Sequence, residues 1–357
     1  MGGPPYVTWA GRPRPAFSLR NSYHNALAVL APSPSLYLDL PESFGRRVIV
    51  TVDTEEEFDW TQPRRRDATS VHAVKALPEA HVRLRSFGLK PAYLVDYPVA
   101  TTPESVEVLK SAVDAGEATV GAQLHPWVNP PFDEPVDTLH SFPGNLPRCT
   151  ELAKLSRLTQ AIVDNLDVQP IIYRAGRYGI GPNTEALLDE LGYRIDASVR
   201  PLFDYEDEGG PSFEYARSAP YWTGPEHRIL EVPLTTTFVG GLRKVGEPLF
   251  RLGGRFQALR GLLARARLLN RVALTPEGIP LDEALTALRL LLDDGTRLFS
   301  ISFHSPSVEP GHTPYVRDAA DLKRFYAWFD GVLNFLAKAG VAPASVEEVL
   351  AAAEAAR

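Results

Sequence analysis

Residues 47–53, RVIVTVD, are a short apolar run rich in β-branched residues, and the run ends on the carboxylate Asp53. A run of this kind predicts a buried β-strand. Six similar runs follow along the chain, with segments of helical spacing between most of them. The seven predicted strands cover 47–53, 90–96, 117–125, 169–175, 192–198, 229–235 and 297–304. The alternation of strands and helices is typical of an α/β fold.

Ionisable residues stand at the ends of six of these seven strands. They are Asp53, Asp96, His125, Arg174, Asp196 and His304. A parallel barrel gathers the carboxyl ends of its strands on one face, where its active site is built. Only 23% of the chain is charged, so this placement is far from random. We therefore expect a cleft at this face, bordered by the acidic segment that follows the first strand.

The composition is that of a soluble globular protein with a substantial core. The 357 residues are 44% hydrophobic, and the formal net charge is -7, which counts against nucleic acid as the main partner. The single cysteine, Cys149, excludes an internal disulfide framework and fits a reducing compartment. We find no signal-like apolar segment near the N-terminus and no run long enough to span a membrane. The expectation is a cytoplasmic protein.

Several segments do not fit a minimal barrel, and we assign them separately. Residues 1–45 are irregular and proline-rich and are predicted to be an N-terminal extension that straps the barrel. The barrel itself is predicted over 46–345, and 346–357 form the end of a C-terminal helix. Two insertions are predicted within it: an aromatic loop at 199–228, and a helical segment at 240–279 that includes a basic amphipathic helix at 255–271.

Five motifs occur in a recognisable order along the chain: TVDTE, GAQLHPW, YRAGRYG, GYRIDASV and FSISFHS. In this order they resemble the polysaccharide deacetylases with NodB homology. The stretches HPWVNPPFDE and SFHSPSVEPGHTPYV look like the WalW-like branch of that superfamily. The resemblance covers about residues 46–340. It implies a distorted barrel of the (β/α)7 type, hydrolysis of N-acetyl groups on amino sugars, and a divalent metal, usually zinc.

The resemblance also implies roles for four residues. Asp53 matches the general base, and His304 matches the histidine that protonates the leaving amine. Arg174 matches the arginine that pairs with the base, and Asp196 resembles the residue that orients the acid histidine. These roles agree with the general chemistry, since hydrolysis of an amide needs a base for water and an acid for the amine.

The metal-ligand motifs depart from the family pattern. Thr54 stands where the family has a metal-binding aspartate, and the family's two histidines four residues apart are missing. His125 and Glu55 are therefore the predicted metal ligands, and Gln123 is expected on the same side as His125. The next three acidic residues of the loop are expected to be solvated; they are Glu56, Glu57 and Asp59.

Four aromatic residues are predicted to bind the substrate, because sugar rings present apolar faces to aromatic side chains. They are Trp127, Tyr178, Tyr221 and Trp222. The predicted substrate contains an amino sugar or is a small N-acyl compound. Two alternatives stay open: a degenerate barrel that binds glycan without turnover, and a hydrolase of a different non-peptide C–N bond.

Overall fold

The computed structural model describes residues 32–246 and 268–357. Its strands are β1 Arg46–Thr54, β2 Ala92–Val95, β3 Thr119–Leu124, β4 Ile172–Ala175, β5 Ile195–Asp196, β6 Tyr221–Thr223, β7 Ile229–Glu231, β8 Thr236–Val239, β9 Asn270–Ala273, β10 Leu298–His304 and β11 Val341–Pro343. The main sheet has the strand order β10-β1-β2-β3-β4-β5-β7-β6, with β11 beside β1, and β8 and β9 form a separate two-stranded sheet. All seven predicted strands are present, and neighbours along β10-β1-β2-β3-β4-β5-β7 are parallel. The predicted α/β class with a mostly parallel sheet is confirmed.

The helices of the described ranges pack mainly against the outside of this sheet. Local signals set several of their ends: Pro103 opens one helix, and Ser345 and Glu348 form a capping box at the start of another. The helices are α1 Leu77–Ser86, α2 Tyr97–Thr101, α3 Pro103–Asp114, α4 Arg148–Leu166, α5 Thr184–Glu190, α6 Leu281–Asp293, α7 Ala319–Lys338 and α8 Val346–Ala355.

Strand alternation divides the buried side chains between two layers. Val48, Val50 and Val52 of β1 belong to the large core between the sheet and the helices. Ile49, in contrast, belongs to a second core that contains residues of α8 and of the segment before β1. Because successive side chains point to opposite faces, Asp53 shares the inner face with Ile49.

The sheet is open between β7 and β10, and two short connections bridge this seam. The backbone N–H of Thr235 donates to the carbonyl of Ser300 (3.2 Å), and the N–H of Ser302 donates to the carbonyl of Leu274 (3.2 Å). The hydroxyl of Thr235 also accepts from the N–H of Ser300 (2.8 Å). The barrel is therefore nearly closed, as expected of the distorted type.

The predicted insertions are only partly as expected. The segment 199–228 is not a pure loop, since it contributes β6, which pairs antiparallel with β7. Residues 270–273 form β9 rather than helix, and the greater part of the predicted basic helix lies outside the described residues. None of the helices in the described ranges has both the length and the apolar character needed to cross a membrane.

Candidate active site

The carboxyl ends of the parallel strands surround a cavity of about 490 Å³. Seven of the ten site residues predicted from the sequence line it: Asp53, Glu55, His125, Trp127, Arg174, Tyr178 and His304. The pairing of the strands explains why these side chains meet. Asp53 is in register with His304, and Gln123 is in register with Arg174. Residues in register on parallel strands point to the same face, so these side chains all face the barrel interior.

Asp53 and Arg174 form a buried ion pair on the floor of the cavity. Arg174 is completely buried, and its guanidinium donates to Asp53 Oδ1, to the Ser302 hydroxyl (2.7 Å), to the Thr51 hydroxyl (3.0 Å) and to the Ala197 carbonyl (2.8 Å). Burial lowers the pKa of Arg174, but the Asp53 carboxylate outweighs this effect, and the pKa lies above its usual value. The guanidinium thus contacts Asp53 as a permanently charged partner and fixes the position of its carboxyl group.

His304 lies between Asp53 and a carboxylate that we did not predict, Glu277. Its Nδ1 is 2.7 Å from Glu277 Oε2, and its Nε2 is 3.6 Å from Asp53 Oδ2. Glu277 Oε1 accepts from the backbone N–H of His304 and from the Ser307 hydroxyl. Burial lowers the pKa of His304, but Glu277 and then Glu55 outweigh it and raise the pKa to about 10. The imidazole is thus protonated near neutral pH.

The prediction that Asp196 orients His304 is wrong. Asp196 Oδ1 accepts from the backbone N–H (3.0 Å) and the hydroxyl of Ser198, and the residue does not line the cavity. The physical reason is register: Asp196 is opposite Tyr173, which lies in the outer core, so its side chain points away from Arg174. Glu277, which follows β9, holds His304 instead.

The acidic segment after β1 is buried rather than solvated at its start. Glu56 is 0% exposed, and its two oxygens accept from His125 Nδ1 (2.7 Å) and Trp127 Nε1 (2.6 Å). The Glu56 backbone N–H donates to Asp96 Oδ2 (2.7 Å), and Asp96 caps α2 through the N–H of Val99. The expectation of a solvated Glu56 is therefore wrong, because hydrogen bonds from two neighbouring side chains draw it into the core.

A metal ion could be held by the buried group of Glu56, Asp96 and His125. One ligand atom of each lies within 4.8 Å of the others, and no other such group of three occurs within 32–246 and 268–357. Burial lowers the pKa of His125 to about 4, so the ring is neutral, the form that binds metals. Burial raises the pKa of Glu56 to about 7 and that of Asp96 well above its usual value. A cation would lower the pKa of both carboxyls.

The predicted metal ligands Glu55 and His125 meet on the cavity side of the same imidazole. His125 Nε2 lies 3.5 Å from Glu55 Oε2, and both side chains are about 3% exposed. Two buried oxygens of this wall have no hydrogen-bond partner among the described residues, Glu55 Oε1 and Gln123 Oε1. Burial raises the pKa of Glu55 well above its usual value. Unpartnered buried acceptors are costly, so this wall also suits a cation.

The four predicted substrate-binding aromatics fall into two groups. Trp127 and Tyr178 line the cavity, and Trp127 stacks on His125 with ring centroids 4.4 Å apart. Tyr221 and Trp222 do not line it, so their prediction as substrate-binding residues is wrong. They lie on β6, where Tyr221 packs edge-on against Tyr37 and Trp222 enters the inner core. Because β6 forms within the predicted loop 199–228, Tyr221 and Trp222 lie in a strand and not at the mouth of the barrel.

Further cavity residues come from loops that carry no motif. The segment after β5 supplies Arg200, Phe203 and Tyr205, and the segment after β1 supplies Arg64. Of the missed residues, Glu277 is the most informative, and its only sequence signal is its position shortly after the short apolar run RVAL. That run lies within 240–279, which the sequence predicts to be a helical insertion.

Comparison with known proteins identifies similar folds but assigns the chain to no family. No family model and no curated protein matches the chain. Among solved structures, the Puue allantoinase is similar with a TM-score of 0.51 and 12% identity, covering 94% of this chain and 98% of that one. A protein from Mycobacterium smegmatis assigned as a polysaccharide deacetylase is similar with a TM-score of 0.48, 17% identity and coverage of 88% and 98%. A family 4 carbohydrate esterase from Streptomyces lividans, in complex with acetate, has a TM-score of 0.40, 13% identity and coverage of 84% and 93%.

Proposed function

We propose that this protein hydrolyses the amide bond of an N-acetyl or related N-acyl group on an amino-sugar-containing substrate. The observation that carries the proposal is the pairing of Asp53 with a protonated His304 at the cavity floor, 3.6 Å apart. Each has its own buried partner, Arg174 for Asp53 and Glu277 for His304. Amide hydrolysis needs this combination of one base and one acid.

The two residues take complementary parts in the reaction. Asp53 accepts a proton from the attacking water, and Arg174 holds the carboxyl group in position for that purpose. The Nε2–H of His304 donates a proton to the leaving nitrogen, which cannot depart as an amide anion. Glu277 accepts the hydrogen bond from Nδ1 and thereby orients the ring and maintains its charge. Arg174 and Glu277 are positioning residues, whereas Asp53 and His304 contact the reacting atoms.

We infer that a divalent metal, with zinc as the first candidate, binds on the cavity side of His125. Glu56 at Nδ1 leaves the Nε2 lone pair facing Glu55, an arrangement common around histidine ligands. When bound there, the ion would polarise the acyl oxygen and lower the pKa of water. His125 and Glu55 would hold it, and Gln123 would offer a neutral oxygen, which is a poorer zinc ligand than imidazole.

The proposed substrate contains an amino sugar because aromatic residues line the cavity on several sides. Trp127, Tyr178, Tyr205 and Tyr315 all contribute to its walls, and aromatic faces suit the C–H faces of sugar rings. The polysaccharide deacetylase relationship, including the WalW-like branch, belongs to the same proposal. This relationship is supported by the order of the five motifs along the chain. Residues of four of these motifs also line the cavity: TVDTE, GAQLHPW, YRAGRYG and FSISFHS.

The test is hydrolysis of a panel of N-acetylated sugars and N-acyl compounds by matched variants. Asp53→Asn and His304→Ala should each lower kcat by at least about 10²-fold while the protein keeps its melting temperature within a few degrees. Asp59→Asn, at an exposed loop position, and His140→Ala, at a half-buried loop position that does not line the cavity, are the controls and should retain activity. Turnover close to that of the wild type in either site variant would remove that residue from the mechanism.

A second test addresses the metal by equilibrium titration with zinc, without any substrate. Gln123→His should bind zinc more tightly than the wild type, and His125→Ala should lose binding. His140→Ala again serves as the control. If all four proteins bind no divalent metal, metal-assisted hydrolysis is refuted. The remaining function would be a barrel that binds its glycan without turnover.

A further inference from the structure

Two arginines that line the cavity have buried guanidinium atoms without hydrogen-bond partners. Arg64 Nε and Arg200 Nε are both inaccessible to solvent, and neither has an acceptor within the described residues. A buried N–H without an acceptor is destabilising, because the group has lost its bonds to water and gained nothing in return. Both side chains belong to loops above the barrel, after β1 and after β5.

Two other arginines that line the cavity already have carboxylate partners. Arg174 pairs with Asp53, and Arg177 pairs with Glu208 and donates to the Ser141 hydroxyl. Arg64 and Arg200 form no ion pair within 32–246 and 268–357. Arg64 lies over the ring of Trp127 (5.3 Å), and Arg200 lies over Phe203 (3.8 Å). Arginines that pack on aromatic faces keep the edge of the guanidinium available for a ligand.

These arginines lie in one neighbourhood. Burial, and after it the nearby Arg177 guanidinium, lower the pKa of Arg64 to about 10. Tyr205 lies between Arg177 and Arg200. Its hydroxyl accepts from Arg200 (3.1 Å), and burial lowers the pKa of Arg177 although Glu208 and Tyr205 oppose this effect. Arg64 stays charged near neutral pH. The cavity therefore has a cationic wall above an acidic floor of Asp53, Glu55 and Glu277.

We propose that the ligand of this cavity is an anion whose carboxylate or phosphate group binds to Arg64 and Arg200. This inference rests on the proposed function for the rest of the molecule, an N-acyl group placed at Asp53 and His304. Guanidinium groups form paired, charge-assisted hydrogen bonds with the oxygens of both kinds of anion. The cavity volume of about 490 Å³ is that of a small-molecule site. The substrate is thus a small acidic compound rather than a neutral polymer.

Calorimetric binding to the wild type, Arg64→Gln, Arg200→Gln and Arg65→Gln tests this proposal. Arg65 is the matched control, because it neighbours Arg64 but is exposed and paired with Asp67. The probes are N-acetylglucosamine, its 6-phosphate, N-acetylmuramic acid and inorganic phosphate. At least one acidic sugar should bind at least about 10-fold more tightly than the neutral sugar. This preference should vanish in both site variants and persist in the control; the phosphate and carboxylate probes show which anion is preferred.

The outcomes separate this inference from the proposed function. Binding of inorganic phosphate that needs Arg64 and Arg200, without binding or turnover of any sugar, supports the anion site and refutes the amino-sugar substrate. Equal affinity for neutral and acidic sugars, or a preference that survives both substitutions, overturns the anion site. So does binding of none of the four probes by the wild type. Arg64→Lys and Arg200→Lys, which keep the charge, should retain part of the preference and show that loss in the glutamine variants is not unfolding.

Discussion

At the scale of single residues, Glu277 and Asp196 are both buried carboxylates, but only Glu277 reaches His304. Its two oxygens accept four hydrogen bonds, two of them from His304 itself. Burial raises the pKa of Glu277, but the His304 imidazolium outweighs it, and the pKa lies below its usual value. The pair therefore behaves as an ion pair, in which each charge stabilises the other.

Glu277→Gln should move the alkaline limb of the pH profile of kcat to lower pH. Removal of the carboxylate lowers the pKa of His304, so the ring loses its proton earlier as the pH rises. A shift of at least about one pH unit is expected. Asp196→Asn is the control and should leave the limb in place, since Asp196 has no bond to His304. An unchanged limb in Glu277→Gln, or an equal shift in both variants, would contradict the assignment.

At the scale of elements, the segment between β5 and β6 has both a core side and a cavity side. Phe213 is completely buried in a small cluster with Val199, Tyr178 and Ala216. Tyr205 of the same segment lines the cavity and contacts Phe213 edge-on, with ring centroids 6.3 Å apart. Core packing thus holds a functional loop in place, which is a common design for binding segments.

Tyr205→Ala should raise KM more than it lowers kcat, because the ring borders the cavity but lies away from the catalytic pair. Tyr215→Ala is the matched control, since Tyr215 belongs to the same segment, is 44% exposed and does not line the cavity. Steady-state kinetics on a genuine substrate provide the measurement. A KM equal to that of the wild type would exclude Tyr205 from substrate binding.

Phe213→Ala should lower the free energy of unfolding by about 3–5 kcal/mol, the usual effect of removing a buried phenylalanine. Chemical denaturation measures this change, with Tyr215→Ala again as the control. A loss below about 1 kcal/mol would show that the segment is not anchored by its core side.

The contact between α4 and α5 contains a buried carboxyl whose ionisation opposes folding. Glu151 is 1% exposed, and burial raises its pKa to about 7, although the Thr184 hydroxyl donates to it (2.6 Å). The unfolded chain releases this proton near pH 4.5, whereas the folded protein holds it to about pH 7. The contribution of Glu151 to stability is therefore complete below pH 4.5 and is lost as the pH rises to about 7.

Glu151→Gln should stabilise the protein at pH 8 relative to the wild type, by up to about 3 kcal/mol, and have little effect at pH 4.5. Glutamine keeps an oxygen for Thr184 and carries no charge. Denaturant unfolding at both pH values provides the measurement, with exposed Glu79→Gln as the control. The same difference between variant and wild type at the two pH values would refute a raised pKa at Glu151.

At the scale of the whole molecule, the barrel depends on the seam between β7 and β10. Backbone and hydroxyl bonds of Thr235 span this seam, and Thr235 also accepts from the N–H of Leu274 (2.9 Å) after β9. The same seam places Glu277, a few residues after β9, beside His304 at the end of β10. Closure of the fold and assembly of the catalytic acid are therefore linked.

Thr235→Val should lower the free energy of unfolding by about 1–3 kcal/mol, because the buried N–H of Ser300 loses its acceptor. Valine keeps the shape and the backbone bonds. Thr286→Val, on the exposed face of α6, is the matched control and should change stability by less than about 0.5 kcal/mol. Equal stability of Thr235→Val and the wild type would show that the hydroxyl does not hold the seam.

The sequence alone determined seven of the eleven strands in the described residues, and it determined the inward-facing catalytic residues. Each predicted strand was a local apolar run, and period-two alternation is a local property of an extended chain. Asp53, Arg174 and His304 could therefore be placed at one face from strand ends alone. The same reasoning gave the wrong face for Asp196. Asp196, the last residue of β5, is in register with Tyr173, and register depends on how two strands pair rather than on either strand alone.

Tertiary structure alone decided which partners surround those residues. Glu277 reaches His304, Glu56 reaches His125 and Trp127, and Arg64 and Arg200 reach the cavity, each from a loop without a motif. The path of such loops depends on contacts between residues far apart in the chain, such as the 69 positions that separate Glu56 from His125. Local sequence carries no signal for these contacts, because their energies come from burial and charge that exist only once the barrel has formed.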